Sequence, residues 1–475
     1  MLLHGGAKPV PVAEPLESDK SKAPKAPLGD DLDGPDIASR MAAKVFYAFH
    51  DPANPGASEP IRAQLVAAVD PALAQNATSA VRLIPAYVEV EGVTEGSKAI
   101  ENARTRIDDD KTLTTEQRAV LDETLDDLDG LYSLGSANLP KTTRERLEQR
   151  LGWSGRLALS FDLPSKDPMR EEMLSGGGML LAFLVCVGLG ALAAVVAGFV
   201  LFTVAAVLIG KGKLRWRMDK PALGGSLGVE VLTVFLGAFL GLKLVMSLVH
   251  AAVEAGWLGT WLKAQGEQGM VVMTLVAQWI ILPLVMLYPA WRGYPRSRVK
   301  RALGWHRGRG FLVEMLAGVA GYLACIPVYI LAVLIAFGLM MLEHALRTNL
   351  SGGQEPGGPV NPIGDLLSQS ALMAVLLIAL ATVWAPIVEE SVFRGAMFRQ
   401  LNARMGMVWA ALISGTVFAM MHGYSASMFP PLIALGAGFA LIRAWRGSLV
   451  ACVTAHALHN GTVTIVMLVM FSLLK

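Results

Sequence analysis

The sequence has 475 residues, of which 53% are hydrophobic and 17% are charged, whereas an average soluble domain carries about 25% charged residues. The mean hydropathy of +0.47 excludes a single soluble globular domain. The three cysteines lie in apolar runs and have neither disulfide-framework nor metal-ligand spacing. No basic surface with interleaved aromatic residues indicates nucleic acid as a partner. Residues 1–173 carry 20 basic against 29 acidic residues, and residues 174–475 carry 21 against 10. The composition therefore predicts a membrane protein with an acidic soluble extension.

The soluble third divides into two parts. Residues 1–36 contain six prolines and few large apolar side chains, so this segment is expected to be disordered. Residues 37–173 are expected to form a mostly helical soluble domain, whose role the sequence does not indicate. Within this domain Thr114–Gln117 predicts a capping box for a helix that ends at Gly130, and Thr142 predicts a second helix start.

Residues 174–475 predict an all-α, polytopic transmembrane helix bundle, because a spanning helix needs about 20 mostly apolar residues. About four spans are expected in residues 174–364, followed by a separate core in residues 365–475. The eight candidate spans are 178–209, 224–250, 269–290, 311–341, 368–400, 407–428, 430–444 and 448–473.

The charges of the connecting loops predict the orientation of the bundle. Basic residues cluster at 211–220, 292–309, 399–404 and 443–446, whereas the alternate loops are nearly neutral. The positive-inside rule places the basic loops in the cytoplasm. Both termini, including the soluble domain, are then expected outside, and the expected location is a bacterial cytoplasmic membrane.

Ionisable side chains inside apolar segments are costly and indicate a functional site. Glu230, Glu314, His250 and His344 lie near predicted helix ends, where snorkelling or interfacial water would satisfy them. Lys243 lies deeper and has no assignment. These five residues therefore indicate no site.

The C-terminal quarter differs, because it gathers several polar side chains on apolar helices. Arg394 follows Glu390 by four residues, and Asn460 follows His456 by four, so each pair lies on one helix face. The candidate site residues are Glu389, Glu390, Arg394, His422, His456 and Asn460. The alternative interpretation is that they are interhelical polar pairs that tighten the bundle.

The predicted turns would bring these residues to one end of the bundle. A turn at 404–406 would place Glu389 and His422 at about the same depth on two antiparallel helices. His456 follows the 446–447 turn by ten residues, on the same side. A cavity that faces the cytoplasm is therefore expected.

Peptide hydrolysis inside a bilayer needs a held water molecule, a base and donors for the oxyanion. A carboxylate beside a histidine would supply the base. An imidazole and a carboxamide one helical turn apart would supply two donors. The Glu390–Arg394 pair would orient the site.

The three motifs resemble those of the CAAX protease and bacteriocin-processing family, also called the ABI family of intramembrane proteases. Its signature of Glu-Glu-x-x-x-Arg, Phe-x-x-x-His and His-x-x-x-Asn matches residues 389–394, 418–422 and 456–460 in order. The resemblance implies an endopeptidase for membrane-associated or lipidated CAAX-type substrates. It further implies that Glu389 with His422 activates water and that His456 and Asn460 stabilise the oxyanion. Glu390 and Arg394 would have supporting roles.

Three alternatives stay open at this point. A zinc-dependent version of the same protease would use Glu389, His422 and His456 as ligands, although the metal-free mechanism is preferred because no His-Glu-x-x-His occurs. A catalytically silent scaffold or bacteriocin-immunity protein would keep the motifs without the reaction. An ion transporter using Glu389, Glu390 and Lys243 as an ion pathway is disfavoured, because residues 178–341 contain no second copy of the acidic motif.

Overall fold

The computed structural model describes residues 34–50, 58–73, 76–111, 113–219, 226–255, 266–350 and 371–474. Most of the predicted disordered segment 1–36 therefore lies outside the described residues. Within the described ranges the protein is helical and has no strand, which confirms the all-α fold. The first eight helices are α1 (Gly34–Phe49), α2 (Glu59–Leu73), α3 (Ala77–Glu91), α4 (Val93–Asp109), α5 (Thr115–Leu134), α6 (Lys141–Leu151), α7 (Trp153–Leu159) and α8 (Pro168–Leu174).

The helices that follow are mostly apolar. They are α9 (Gly177–Gly210), α10 (Leu227–Glu254), α11 (Gly266–Val285), α12 (Tyr288–Trp291), α13 (Arg296–Leu303), α14 (Phe311–Leu350), α15 (Ala371–Ala379), α16 (Ala385–Glu389), α17 (Arg399–Met405), α18 (Met407–Met420), α19 (Phe429–Arg446) and α20 (Leu449–Leu474).

The helix ends of the N-terminal region test the capping predictions. Thr114 and Gln117 form the expected capping box at the start of α5. The predicted stop at Gly130 is wrong: α5 continues to Leu134 and ends at Gly135, whose φ is +82°. Leu128 and Leu131 are buried on either side of Gly130, and their packing outweighs the cost of about 1 kcal/mol for one glycine in a helix. The predicted start at Thr142 is also wrong, since α6 begins at Lys141 without a side-chain cap.

The N-terminal helical region packs against both ends of the membrane portion of the chain. Arg40 Nη1 donates to the carbonyl of Leu474 at 3.3 Å, and Lys44 Nζ donates to the carbonyl of Ser175 at 3.2 Å. Val45 and Leu180 lie in one apolar cluster with Leu474. The start of α9 and the end of α20 are therefore at the same end of the bundle, against α1.

Six helices of the described part of the chain are long and apolar enough to cross a membrane, so the protein is a multi-pass membrane protein. They are Pro168–Gly210, Leu227–Val253, Phe311–Glu343, Ala374–Met405, Ala426–Arg446 and Leu449–Leu474. The other two predicted spans contain shorter apolar helices, Val276–Val285 and Met407–Met420. Helix α18 has 14 residues, about 21 Å at 1.5 Å per residue, against a hydrocarbon core of about 30 Å.

The helix that carries the acidic motif is interrupted by two π-helical segments, Leu380–Trp384 and Glu390–Phe398. Such wide turns are rare and often occur at functional sites. The predicted turns at both ends of the next hairpin are confirmed by Gly406 and Gly447, with φ of +83° and +72°. Helices α18 and α19 then return alongside the π-helical segments and bring the three motifs together.

Candidate active site

One carboxylate oxygen joins the first and third motifs. Glu390 Oε1 lies 3.0 Å from Arg394 Nη1 and 2.9 Å from His456 Nδ1. The side chains of Glu390 and Arg394 are fully buried, and His456 is 3% exposed. Since Glu390 and Arg394 form an ion pair one helical turn apart, as predicted, the two buried charges compensate each other.

Aromatic rings and a backbone carbonyl hold Arg394 in place. Its guanidinium lies 4.6 Å from the ring centre of Phe418 and 5.4 Å from that of Phe439, and Nη2 donates to the carbonyl of Gly436 at 3.0 Å. Phe439 also stacks on His456, with ring centres 5.1 Å apart. A side chain at position 436 would crowd both Arg394 and the facing backbone of α18. Phe418, Phe439 and the backbone of Gly436 therefore hold Arg394 in place, and Phe439 also packs on His456.

The contact between Glu390 and His456 determines where the histidine carries its proton. Glu390 is paired with a guanidinium, so its ionised carboxylate can only accept, and His456 Nδ1 must donate. A neutral imidazole of this tautomer has an acceptor at Nε2. His456 can donate from Nε2 only as the doubly protonated imidazolium, whose charge the carboxylate of Glu390 would stabilise.

Glu389, the chain neighbour of Glu390, has none of these contacts. Its carboxylate takes no hydrogen bond from any residue that the structure describes, and Oε2 is buried. The residue as a whole is half-buried. A buried carboxylate oxygen without a hydrogen bond is costly to keep. Oε2 of Glu390 shares this feature, but Oε1 of Glu390 is paired, so Glu389 is the position with a carboxylate left for chemistry.

His422 lies exposed just beyond the end of α18. Its Nδ1 is 2.8 Å from the carbonyl of Phe418, which can only accept, so Nδ1 carries the proton and Nε2 is the free acceptor of the neutral ring. The ring of Phe418 lies 4.6 Å from His422 and 5.8 Å from His456, measured between ring centres. The two histidines thus flank one phenyl ring, and no hydrogen bond joins His422 to Glu389 among the described residues.

Asn460 contacts the helix that carries the acidic motif. Its Nδ2 donates to the carbonyl of Ala381 at 2.8 Å, within the first π-helical segment. The second amide N–H and the side-chain oxygen are additional groups for hydrogen bonding. Asn460 therefore links α20 to the backbone just before the acidic motif, and it makes no direct contact with the Glu390 cluster among the hydrogen bonds of the described residues.

The predicted zinc ligands were tested for their fit to a metal. Donation of Nδ1 to a carboxylate, as His456 does, is the usual arrangement of a metal-bound histidine. No three His, Cys, Asp or Glu side chains within the described ranges lie close enough together to hold one ion, however. In this arrangement Glu389, His422 and His456 are not gathered into one set of three ligands.

The ionisable residues outside the motifs have several different environments. Glu314 was predicted to be satisfied by snorkelling or interfacial water, and this is wrong: its side chain is fully buried and accepts from Arg446 at 2.8 and 2.7 Å. Glu230 accepts hydrogen bonds from Tyr288 and Arg292 near the start of its helix. Lys243 Nζ lies 5.0 Å from the ring centre of Phe239.

His250 is exposed, and the side chain of His344 lies outside the described residues. Neither residue therefore adds a group to the candidate site.

Some residues of the site carry little signal in the sequence. Trp305 Nε1 donates to the hydroxyl of Ser391 at 2.9 Å, from a loop 86 residues away. Ser391 in turn donates to the carbonyl of Ile387 at 2.7 Å. Ser391 lies within the acidic motif, so its position in the sequence indicates that it is near the site. Nothing in the sequence around Trp305 indicates that it bonds to Ser391.

The comparisons with known proteins concern the part of the chain that holds this cluster. Residues 371–462 match the family model described as type II CAAX prenyl endopeptidase Rce1-like. The chain is also similar to the membrane-embedded CAAX protease MroQ of Staphylococcus aureus (strain USA300), with 28% identity over 142 residues, which are 28% of this chain and 56% of that relative. The chain thus spans about half the length of this curated relative, and no solved structure matches. The C-terminal core is thus similar to CAAX endopeptidases, over residues 371–462 in the family model and over 142 residues in the relative.

Proposed function

We propose that the protein is an intramembrane endopeptidase that hydrolyses peptide bonds of membrane-associated or CAAX-type substrates. One observation carries the proposal: Glu389 presents a carboxylate without a partner among the described residues, directly beside the buried Glu390–Arg394–His456 cluster. Glu390 contacts Arg394 and His456 through Oε1, although its Oε2 is also buried without a hydrogen bond, whereas neither oxygen of Glu389 has a partner among the described residues. A carboxylate left unpaired is available to take a proton from water.

In the proposed reaction Glu389 is the base that activates water. The water oxygen attacks the scissile carbonyl carbon, its proton passes to the Glu389 carboxylate, and the protonated carboxyl then delivers it to the leaving amine. His422 assists from the edge of the site, where its Nε2 is free to hold the same water. Substrate binding is expected to bring His422 and Glu389 within reach of one water molecule, because catalytic contacts often tighten only in the complex.

The oxyanion is stabilised by donors on the last helix. His456 serves as an imidazolium, with Nδ1 bound to Glu390 and Nε2–H directed at the developing charge. Asn460 contributes the amide N–H that Ala381 does not take. Glu390 and Arg394 are positioning residues: Glu390 accepts from Nδ1 of the imidazole, and Arg394 holds the Glu390 carboxylate in place.

The similarity to CAAX proteases supports the proposed substrate class, and the loop charges support the proposed membrane location. The relative in Staphylococcus aureus is described as a membrane-embedded CAAX protease, which supports a lipidated or membrane-anchored peptide as the substrate here. The basic loops support a bacterial cytoplasmic membrane in which the active site opens to the cytoplasm and the N-terminal region lies outside.

The test uses the purified full chain in detergent with two sets of quenched peptides, one prenylated at a C-terminal CAAX sequence and one of unmodified membrane segments. Products are identified by mass spectrometry for the wild type, Glu389→Gln and His422→Ala, each with and without a zinc chelator. Cleavage that is lost in both variants and resists the chelator supports the proposal. Loss on chelation with rescue by zinc would replace the metal-free mechanism with the zinc-dependent one. Cleavage that survives in both variants would overturn the site assignment.

A further inference from the structure

A large cavity lies at the end of the bundle opposite the N-terminal region. Its volume is about 810 Å³. It is bordered by the loop before α10, by α13 and the loop that follows α13, by the start of α17 and by the end of α19. None of the six predicted site residues lines it. The cavity is therefore separate from the candidate active site.

The lining is dominated by one charge type. Seven arginines and a single carboxylate, that of Asp219, border the cavity. The arginines are Arg217, Arg298, Arg301, Arg309, Arg399, Arg443 and Arg446. Of these, Arg446 is paired with Glu314. The rest leave a strong excess of positive charge, which favours an anion inside a partly enclosed space.

Arg443 is the most informative member of the lining. It is 2% exposed, and Nη2 donates to the carbonyl of Leu303 at 3.1 Å. Its Nε and Nη1 are buried and have no acceptor among the described residues. Residues 220–225, which lie outside the description and follow Asp219, contain no Asp or Glu. A buried guanidinium with two unused donors at the wall of a cavity indicates that the acceptor is a ligand.

The walls of the cavity are held by close backbone contacts. Gly304, with φ of +101°, lets the guanidinium of Arg443 lie against its backbone where any side chain would collide. Gly447, with φ of +72°, does the same for the carbonyl of Arg217, whose own N–H donates to the carbonyl of Ala444 at 2.8 Å. Three segments distant in sequence are thus fixed around one space, so the arginines are placed by the fold.

The position of the cavity relates it to the bilayer surface. Arg399 and Arg443 stand near the ends of two membrane spans, and the loops that complete the lining are the basic loops. Basic pockets between membrane helices on the cytoplasmic side bind phosphate-bearing headgroups, and planar arginine forks match phosphate oxygens. From this arrangement we infer that the cavity is a binding site for a phosphate-bearing anion, with an anionic phospholipid headgroup as the bilayer source and a free diphosphate as the soluble one.

The test uses exposed arginines, because replacing the buried Arg443 would also disturb the contact between α13 and α19. Arg298→Ala/Arg301→Ala removes two lining charges from α13. Arg296→Ala/Lys300→Ala removes two charges from exposed positions of the same helix that do not line the cavity, and it is the matched control. The full chain is purified in neutral detergent, and binding is measured by native mass spectrometry with phosphatidylglycerol, phosphatidylcholine and inorganic pyrophosphate as probes.

The proposal expects wild-type protein to retain phosphatidylglycerol or pyrophosphate in preference to phosphatidylcholine. The lining variant should bind at least about ten-fold more weakly, since it loses two charge-assisted contacts to the same anion. The control should change binding by no more than about two-fold, as for exposed charges. If phosphatidylglycerol is retained and pyrophosphate does not displace it, the ligand is a phospholipid headgroup. If pyrophosphate binds and phosphatidylglycerol does not, the ligand is a free diphosphate. An equal loss in both double variants, or no anion binding by the wild type, would overturn the proposal.

Discussion

The carboxylate of Glu390 accepts a hydrogen bond from His456 at 2.9 Å, across 66 residues of sequence. The same oxygen lies 3.0 Å from Arg394. Glu389, next in the chain, has no such partner among the described residues. Two adjacent glutamates of identical chemistry therefore have different expected roles, structural for Glu390 and catalytic for Glu389.

Glu390→Gln is expected to destabilise the protein strongly. The substitution leaves the buried guanidinium of Arg394 without its counter-charge, and breaking a buried ion pair costs about 3–5 kcal/mol. A thermal unfolding experiment in detergent, read by intrinsic fluorescence, measures the change. Glu389→Gln is the matched control and should leave the midpoint nearly unchanged. A Glu390→Gln midpoint equal to that of the wild type would contradict the structural role.

Asn460→Ala is expected to lower the cleavage rate by about 10²–10³, the usual effect of losing one oxyanion donor. It should also lower the unfolding free energy by about 1 kcal/mol, because the hydrogen bond to the carbonyl of Ala381 is lost. Thr462→Ala, at an exposed position of the same helix, serves as the control. A stability loss without any change in cleavage rate would show that Asn460 acts only as a helix link.

Glu314→Gln is expected to destabilise the bundle where α14 meets the end of α19. The substitution removes the negative charge that accepts two hydrogen bonds from Arg446, and such a loss costs about 3 kcal/mol or more in a buried pair. Glu230→Gln, at a more exposed ion pair with Arg292, should have a much smaller effect. Equal shifts of the unfolding midpoint in the two variants would argue against a buried role for Glu314.

The N-terminal region is expected to show a pH-dependent stability that depends on Glu89. Burial raises the pKa of this carboxyl, and the neighbouring Arg170 offsets the rise only in part. Because the folded pKa lies above the unfolded one, the stabilisation is complete below the ordinary pKa of glutamate and is lost as the pH rises through the folded value. The unfolding midpoint of the wild type minus that of Glu89→Gln should therefore fall as the pH rises across this window. A difference that is constant or that grows would contradict the raised pKa.

The sequence predicted the fold class and one ion pair of the candidate site, but not the other contacts of that site. Apolar length was enough to predict the helical bundle, and the four-residue spacing was enough to predict the Glu390–Arg394 pair. The choice between Glu389 and Glu390 as the partner of His456 was beyond it, because the two are neighbours at the junction of α16 and a π-helical segment, and the sequence does not specify the helical register there. The pairing of Glu314 with Arg446 was missed for a related reason, since proximity to a helix end does not reveal which other helix end lies against it.

The arginine cavity was visible in the sequence only as loop charge. The basic residues of the loops predicted the orientation of the bundle, because that prediction needs only the number of Lys and Arg residues in each loop and not their positions in space. Their convergence depends on Gly304 and Gly447, whose positive φ and lack of a side chain allow close contacts between distant segments. Glycines in loops are common, so these two gave no specific signal.

The most direct test of the account compares peptide cleavage by the wild type and Glu389→Gln at matched thermal stability. The substitution removes the proton acceptor and keeps the shape of a side chain that has no hydrogen-bonding partner among the described residues. We predict an unchanged unfolding midpoint together with a cleavage rate at least about 10²-fold lower, the range for loss of a general base. A Glu389→Gln protein that is as stable as the wild type and cleaves at the same rate would contradict the account.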